Sequence, residues 1–443
     1  IFPMAEALQP RQITDLSEIS EIRKLIFDAI VQYRKMKNRG VVAIFKRDRF
    51  DKYSNFARIG NGSLGGKGRG LAFIDAMIKR NPTFDNIEGV NVTVPKTVVL
   101  CTDIFDTFME SNNLYQIALS DISDEEILEH FLKAKLPEEL KPDFLAFFDV
   151  VGKPIAVRSS SLLEDSHYQP FAGIYSTYMI PSLDDKNEML RLLLDAIKAV
   201  YASVFYADSK AYMAATSNVI DQEKMAIILQ EVVGTQYNDR YYPSFAGVGR
   251  SINYYPINDE KAEDGVVDLA IGLGKYIVDG GRSLRFSPRH PNKVLQTSTL
   301  DLALRDTQTR FYALDMNRGE KPFSIDDGFN LLKLSVRDAE KDNSLRLMVS
   351  TYDPVDQMIR DGYYDGGRKV VTLASILDSM LTIGSREMGR PVEIEFAGNL
   401  VGPGNTPGTV YWLQIRPIVD MKEMLSDEVM DLPDERTILK SNT

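Results

Sequence analysis

Residues 60–70 read Gly-Asn-Gly-Ser-Leu-Gly-Gly-Lys-Gly-Arg-Gly, six glycines in eleven positions around one lysine. Glycine lets backbone N–H groups approach an anion with no Cβ in the way. Lys67 adds a full positive charge, and a helix starting near Gly68 would point its positive dipole end at the same place. A phosphate suits such a loop, although a solvated surface loop reads equally well from this segment alone. Two known loop motifs fail to account for it. Gly60, Gly62 and Gly65 fit G-x-G-x-x-G, but residues 55–59 are short and polar for the buried first strand of a dinucleotide fold. A P-loop needs glycine at position 61 and a hydroxyl residue after the lysine, where Asn61 and Gly68 stand.

Two further segments carry groups for the same chemistry. Residues 154–158 read as a strand that delivers Arg158 into Ser159-Ser160-Ser161 and then Glu164-Asp165. A planar, permanently charged guanidinium among hydroxyls suits a phosphate oxygen, and a surface ion pair with Glu164 or Asp165 is the alternative. His167 beside those acids reads as a solvated histidine. Near the other end, alternation puts Glu393 and Glu395 on one side of a strand, opposite Val392, Ile394 and Phe396. In the next strand Gln414 and Arg416 oppose Leu413 and Ile415, so a hairpin would bring the polar sides together. Paired carboxylates need a cation between them, and their hard oxygens suit Mg²⁺ carrying phosphate. Cross-strand Glu–Arg pairs on an exposed hairpin would need no ligand.

These groups must be held by a framework, and 443 residues with 44% hydrophobic content can bury ample apolar surface. The 52 lysines and arginines against 63 acids give a charge of −11, which disfavours non-specific attraction to nucleic acid or anionic lipid. A polyanion therefore needs a local basic pocket. The single cysteine, Cys101, forms no intrachain disulfide, and no apolar run is long enough to span a bilayer, a pattern that reads as cytoplasmic. Nothing near Ile1 reads as a signal peptide, and the start fits an excerpt from a longer protein.

Helical spacing appears over residues 15–37, with Asp15 and Glu18 as a capping pair. A short strand at 41–45, the glycine loop and a helix to Asn81-Pro82 follow. Residues 92–101 read as one buried strand interrupted by Pro95, with Thr102 or Asp103 capping the next helix. Further helices are expected at 123–134, 137–150, 184–215 and 372–388, and strands at 225–233 and 266–271. The mixture predicts an α+β (mixed α/β) class.

The order of these segments resembles the ATP-binding N-terminal region of phosphoenolpyruvate synthase and pyruvate phosphate dikinase. Gly65-Gly66-Lys67-Gly68 is similar to that family's Gly-Gly-Lys loop, and Val94-Pro95 with 102–114 to its next strand and helix. Arg158-Ser159-Ser160, Glu164-Asp165 and Phe171-Ala172-Gly173 resemble its Arg-Ser-Ser and Phe-Ala-Gly signature. Residues 225–231 resemble the strand that reaches the adenine, and Gly272-Leu273-Gly274 its Gly-Leu-Gly. Glu393-Ile394-Glu395 and Leu413-Gln414-Ile415-Arg416-Pro417 resemble its acidic and Gln-x-Arg-Pro strands.

The resemblance implies an ATP-grasp-like fold of two lobes, 41–219 and 220–420, with a helical extension at 1–40 and a tail at 421–443. It implies ATP and Mg²⁺ as ligands, with Gly65, Gly66, Lys67 and Arg158 at the phosphates and Arg416 completing that shell. Gln230 and Glu231 fall at the adenine edge; Glu393, Glu395 and Gln414 fall at the metal. Lys275 stands where the family has Glu, Glu393 where it has Asp, and residues 300–369 and 398–408 look expanded. Family members pass the β-phosphoryl group to a histidine on a swivelling domain and then to pyruvate on another. Only His130, His167 and His290 occur here, none in such a context, so both domains are expected outside this chain. A related dikinase with a glucan or antibiotic acceptor, and an ATP-sensing module without turnover, are the alternatives.

Overall fold

The computed structural model describes residues 42–47, 55–85, 87, 89–162, 173–215, 223–317, 323–345, 351–353, 358–360, 373–400 and 408–418. The helix expected at 15–37, residues 164, 165, 167, 171 and 172, and the tail from 421 lie outside them. The class is mixed α/β, as expected. Twelve strands form two six-stranded sheets: β1 (Ala43–Ile44), β2 (Phe56–Ile59), β3 (Val90–Thr93), β4 (Thr97–Leu100), β5 (Ile155–Ser161), β6 (Thr177–Ile180), β7 (Met225–Glu231), β8 (Phe245–Arg250), β9 (Val266–Ala270), β10 (Leu284–Phe286), β11 (Val392–Asn399) and β12 (Gly408–Pro417). The first sheet runs β1-β2-β4-β7-β5-β6, and the second β10-β9-β8-β11-β12-β3.

The sheets exchange strands along the chain. Residues 92–101 are not one strand: β3 pairs with β12 in the second sheet, and β4 pairs with β2 and β7 in the first. Pro95 stands at the switch, where a residue without an N–H donor ends one ladder. Conversely β7, which follows residue 219, lies inside the first sheet between β4 and β5. β2 also corrects its sequence reading, because Phe56, Ala57 and Ile59 are buried and the strand is parallel to both neighbours.

One face of the first sheet, with Val98, Leu100, Ile155, Val157, Ile227 and Leu229, packs under α2 (Thr102–Ser111) and α3 (Lys186–Ser203). The helix expected over 184–215 divides here, with a second helix at Ala207–Ala215. The opposite face, with Val99, Ala226 and Ile228, shares a core with α1 (Gly65–Arg80), α4 (Leu373–Met388) and the apolar side of the second sheet. That side is Ile394, Phe396, Trp412 and Ile415, all nearly excluded from water. Alternation with Ile394, Phe396 and Ile415 puts Glu393, Glu395, Gln414 and Arg416 onto the reverse face, an irregularity in the β11–β12 register separating Gln414 from Trp412.

Part of the segment that looked expanded forms a third sheet, in which Arg310–Asp315 pairs with Leu331–Ser335 and with Arg240–Tyr242. No described helix is long and apolar enough to cross a membrane.

Candidate functional site

The glycine loop sits between β2 and α1, and α1 starts at Gly65, three residues before the expected position. Five of its amides have side-chain partners. Asn61 and Gly62 donate to the Asp103 carboxylate at 2.8 and 3.0 Å, and Ser63 donates to the Thr102 hydroxyl at 3.0 Å. Gly65 donates to Ser63 Oγ at 3.2 Å, and Gly68 to Ser160 Oγ at 2.9 Å. Thr102 and Asp103 thus bind the loop rather than cap α2, whose N-cap residue Cys101 makes no side-chain capping bond. Two glycines are demanded by this packing. Gly60 has φ +94°, and a Cβ there would stand 2.4 Å from Asp103 Oδ1. Gly65 has φ +70°, and its Cβ would stand 1.8 Å from the Ser160 carbonyl oxygen. Lys67 Nζ donates to Ser159 Oγ at 3.1 Å, which places the ammonium beside the residue that follows Arg158.

Arg158 joins the two sheets. From β5 its Nη1 donates to Gln230 Oε1 at 3.0 Å and to the Leu413 carbonyl at 3.2 Å. Its Nη2 donates to Glu395 Oε2 at 3.2 Å and to Gln414 Oε1 at 3.0 Å. Gln230 is itself oriented: its Nε2 donates to Thr97 Oγ1, and Thr97 donates to the Pro95 carbonyl. The Leu413 carbonyl is available because of a β-bulge. Glu395 pairs with Gln414 and Phe396 with Trp412, so Leu413 is the extra residue. The bulge also overturns the expected alternation at one position. Leu413 packs near Val233, Ala246 and Ala397, away from Ile415.

Glu393 lies one row along the same face, two residues from Glu395. The register sets Arg250, Glu393 and Arg416 side by side on β8, β11 and β12. Arg416 Nε donates to Glu393 Oε1 at 2.8 Å, with a second bond from Nη2 to the same oxygen. Arg250 Nε donates to Glu393 Oε2 at 2.7 Å. Both oxygens of this carboxylate are therefore held by guanidinium groups. Glu395 and the Gln414 amide oxygen, opposite each other in register, are the donors that fit a hard divalent ion completed by water and phosphate oxygens. Among the described residues no three His, Cys, Asp or Glu side chains cluster as a metal site.

At the end of β7, Gln230 and Glu231 diverge. Gln230 serves Arg158, whereas Glu231 forms an ion pair with Lys153. Burial works against the Lys153 charge, but the Glu231 charge and hydrogen bond outweigh it, and the lysine titrates above its ordinary range. Burial, reinforced by Glu231, raises the neighbouring Tyr411 hydroxyl as well. Lys275 is paired with Asp279 and Asp327, each at 3.4 Å. His130 is exposed on the helix Asp124–Lys133, and His290 contacts Asp264 at 3.1 Å.

The structure thus brings Arg158, Gln230, Glu395 and Gln414 into one network, with Glu393 and Arg416 in the adjoining row. Lys67 is tied to the start of the serine run, Gly65 lies buried against Ser160 with Gly66 buried beside it in the chain, and Glu231 faces a different partner. Sequence reasoning missed Arg250, Asp103 and the Leu413 carbonyl.

The model of the pyruvate phosphate dikinase AMP/ATP-binding domain matches residues 61–436. The chain is also similar to the protein described as uncharacterized phosphotransferase YvkC of Bacillus subtilis (strain 168), with 27% identity over 190 residues. That match covers 42% of this chain and 20% of the relative, so the chain spans about a fifth of that protein's length.

Proposed function

We propose, because this chain belongs to the pyruvate phosphate dikinase AMP/ATP-binding domain family, that it holds MgATP between its two large sheets and initiates transfer of the β-phosphoryl group. The fold is the ATP-grasp-like nucleotide-binding fold of that family, and the chain is an ATP-binding phosphotransferase module. One observation carries the finer reading: Arg158 bonds at once to Gln230 of the first sheet and to Glu395 and Gln414 of the second.

Phosphoryl transfer depends mainly on positioning and on neutralising charge, and a guanidinium at the seam of two sheets supplies both. In this reading Arg158 exchanges the Glu395 carboxylate for a phosphate oxygen. Lys67 donates to the same triphosphate from the N-terminus of α1, where Gly65 lets the backbone pack against Ser160. Arg416, aimed by Glu393, completes the anion's shell. Glu395 and Gln414 would hold Mg²⁺, which when bound neutralises phosphate charge and aligns the oxygens. Gln230 keeps Arg158 oriented, and the end of β7 with Glu231 borders the adenine.

The acceptor in this reading is a histidine on a domain outside the chain, with pyruvate as the final substrate. Of the described histidines, His130 is exposed to solvent on its helix and His290 contacts Asp264.

Calorimetry on the full chain tests the reading. Saturable, Mg²⁺-dependent ATP binding is expected, weakened about tenfold to a hundredfold by Arg158→Ala and by Lys67→Ala, as for loss of a hydrogen bond to a charged group. A folded wild-type chain that binds no MgATP would sink it.

A further inference from the structure

Glu393 receives two guanidinium groups, and only one of them belongs to a motif. Arg416 lies in the Gln-x-Arg-Pro strand. Arg250 closes β8, a strand with no signature of its own, yet the register places it abreast of Glu393 and Arg416 on the same face. Its side chain is 38% exposed, against 30% for Arg416 and 11% for the carboxylate between them.

The hydrogen bonds of the three arginines that meet Glu393 and Glu395 differ. Arg158 has both terminal nitrogens committed to protein acceptors. Arg416 uses Nε and Nη2 on one oxygen of Glu393. Arg250 uses Nε alone, at 2.7 Å, and among the described residues neither of its terminal nitrogens has an acceptor. A guanidinium fixed through Nε keeps its planar pair of NH₂ groups oriented, which is the geometry for gripping a phosphate. Charge points the same way. Arg158, Arg250 and Arg416 meet Glu393 and Glu395 here, and the adjoining Asp268–Arg285 pair on the same face is neutral, which leaves a local surplus of one positive charge in a chain whose net charge is −11. The Glu393 and Glu395 rows are two residues apart along β11, about 6.8 Å, a span that a triphosphate chain bridges.

We infer that Arg250 is a third phosphate-contacting guanidinium, beside Arg158 and Arg416, and that it selects for the terminal phosphates of the nucleotide. This inference rests on the MgATP reading above. Through its shared carboxylate, Arg250 also holds Arg416 in place, so the two arginines act as a pair.

The test is calorimetry of the full chain with MgATP and with AMP, on the wild type, Arg250→Met and Arg250→Lys, with thermal melts alongside. The expected result is a loss of MgATP affinity of about tenfold to a hundredfold in Arg250→Met with AMP affinity unchanged. Arg250→Lys keeps the charge without the fork and should fall between. Unchanged MgATP binding by Arg250→Met overturns the inference while the MgATP reading stands, and so does an equal loss for ATP and AMP, which marks a general distortion. A wild type that binds no MgATP removes both. Should Arg250→Met fail to fold, Arg250→Lys against wild type makes the same ATP-to-AMP comparison.

Discussion

Residues 60–68 and the strand pair β11–β12 both carry groups suited to an anion, but they engage them in different ways. In the loop, five backbone amides are taken by the Asp103 carboxylate and by the hydroxyls of Thr102, Ser63 and Ser160. On the sheet, side chains pair with side chains: Arg158 with Glu395 and Gln414, Arg416 and Arg250 with Glu393. The first arrangement fixes a backbone shape. The second can exchange one partner for a phosphate or a cation without moving the main chain. Glycine content therefore marks close approach of one backbone to another, and the capacity to bind a ligand lies where partners are exchangeable.

The largest expected effect breaks the loop itself. Gly65→Ala forces a Cβ to 1.8 Å from the Ser160 carbonyl oxygen at a position with φ +70°. A clash with backbone at a strained conformation is expected to cost about 3 kcal/mol or more of stability. Gly70→Ala, whose Cβ meets the Ile415 carbonyl oxygen at 3.1 Å, is the milder control. Urea denaturation should show a clear drop in midpoint for the first and a small one for the second. If Gly65→Ala melted like the wild type but lost MgATP, the glycine would serve the ligand and the comparison would fail.

Asp103→Ala should have an intermediate effect. The Asn61 and Gly62 amides lose their carboxylate, but both residues are exposed and water replaces it, so a loss of about 1–2 kcal/mol is expected in thermal melts. MgATP affinity should fall less than with Arg158→Ala. Tighter MgATP binding by this variant would show instead that Asp103 competes with phosphate for the loop amides.

These contrasts also explain what was legible in the sequence. Two-residue alternation sufficed to put Glu393, Glu395, Gln414 and Arg416 on one face, and β11–β12 pairing confirms it. The bulge at Leu413 was not legible, because nothing local distinguishes a regular pair from one with an extra residue. Arg250 was missed because its partner is 143 residues away, and a lone arginine at a strand end has many uses. Asp103 was misread for a related reason: its place at a helix start suggests a cap, while the loop it binds lies 41 and 42 residues earlier. Sheet membership was hidden too, since β3 and β7 each join the sheet built mainly by the other half of the chain.

Glu231 provides the smallest and most selective test, because it falls on the internally satisfied side of the contrast. Its carboxylate is buried and paired with Lys153, whose pKa lies above the ordinary value of 10.5. A lysine whose folded pKa exceeds its unfolded one stabilises the fold fully below the unfolded pKa and ceases to do so as pH rises through the folded value. The advantage of the wild type over Lys153→Met should therefore be constant up to about pH 10 and shrink above it. Lys153 is partly exposed, so solvent screens the pair and the effect is modest. Melting temperatures of both proteins across pH 7–12 measure it. A difference that grows with pH would reverse the sign and remove the ion pair as its cause. MgATP binding by Lys153→Met should stay near wild type if Glu231 contributes to the adenine edge through its backbone, and should fall if the carboxylate must be held for the nucleotide.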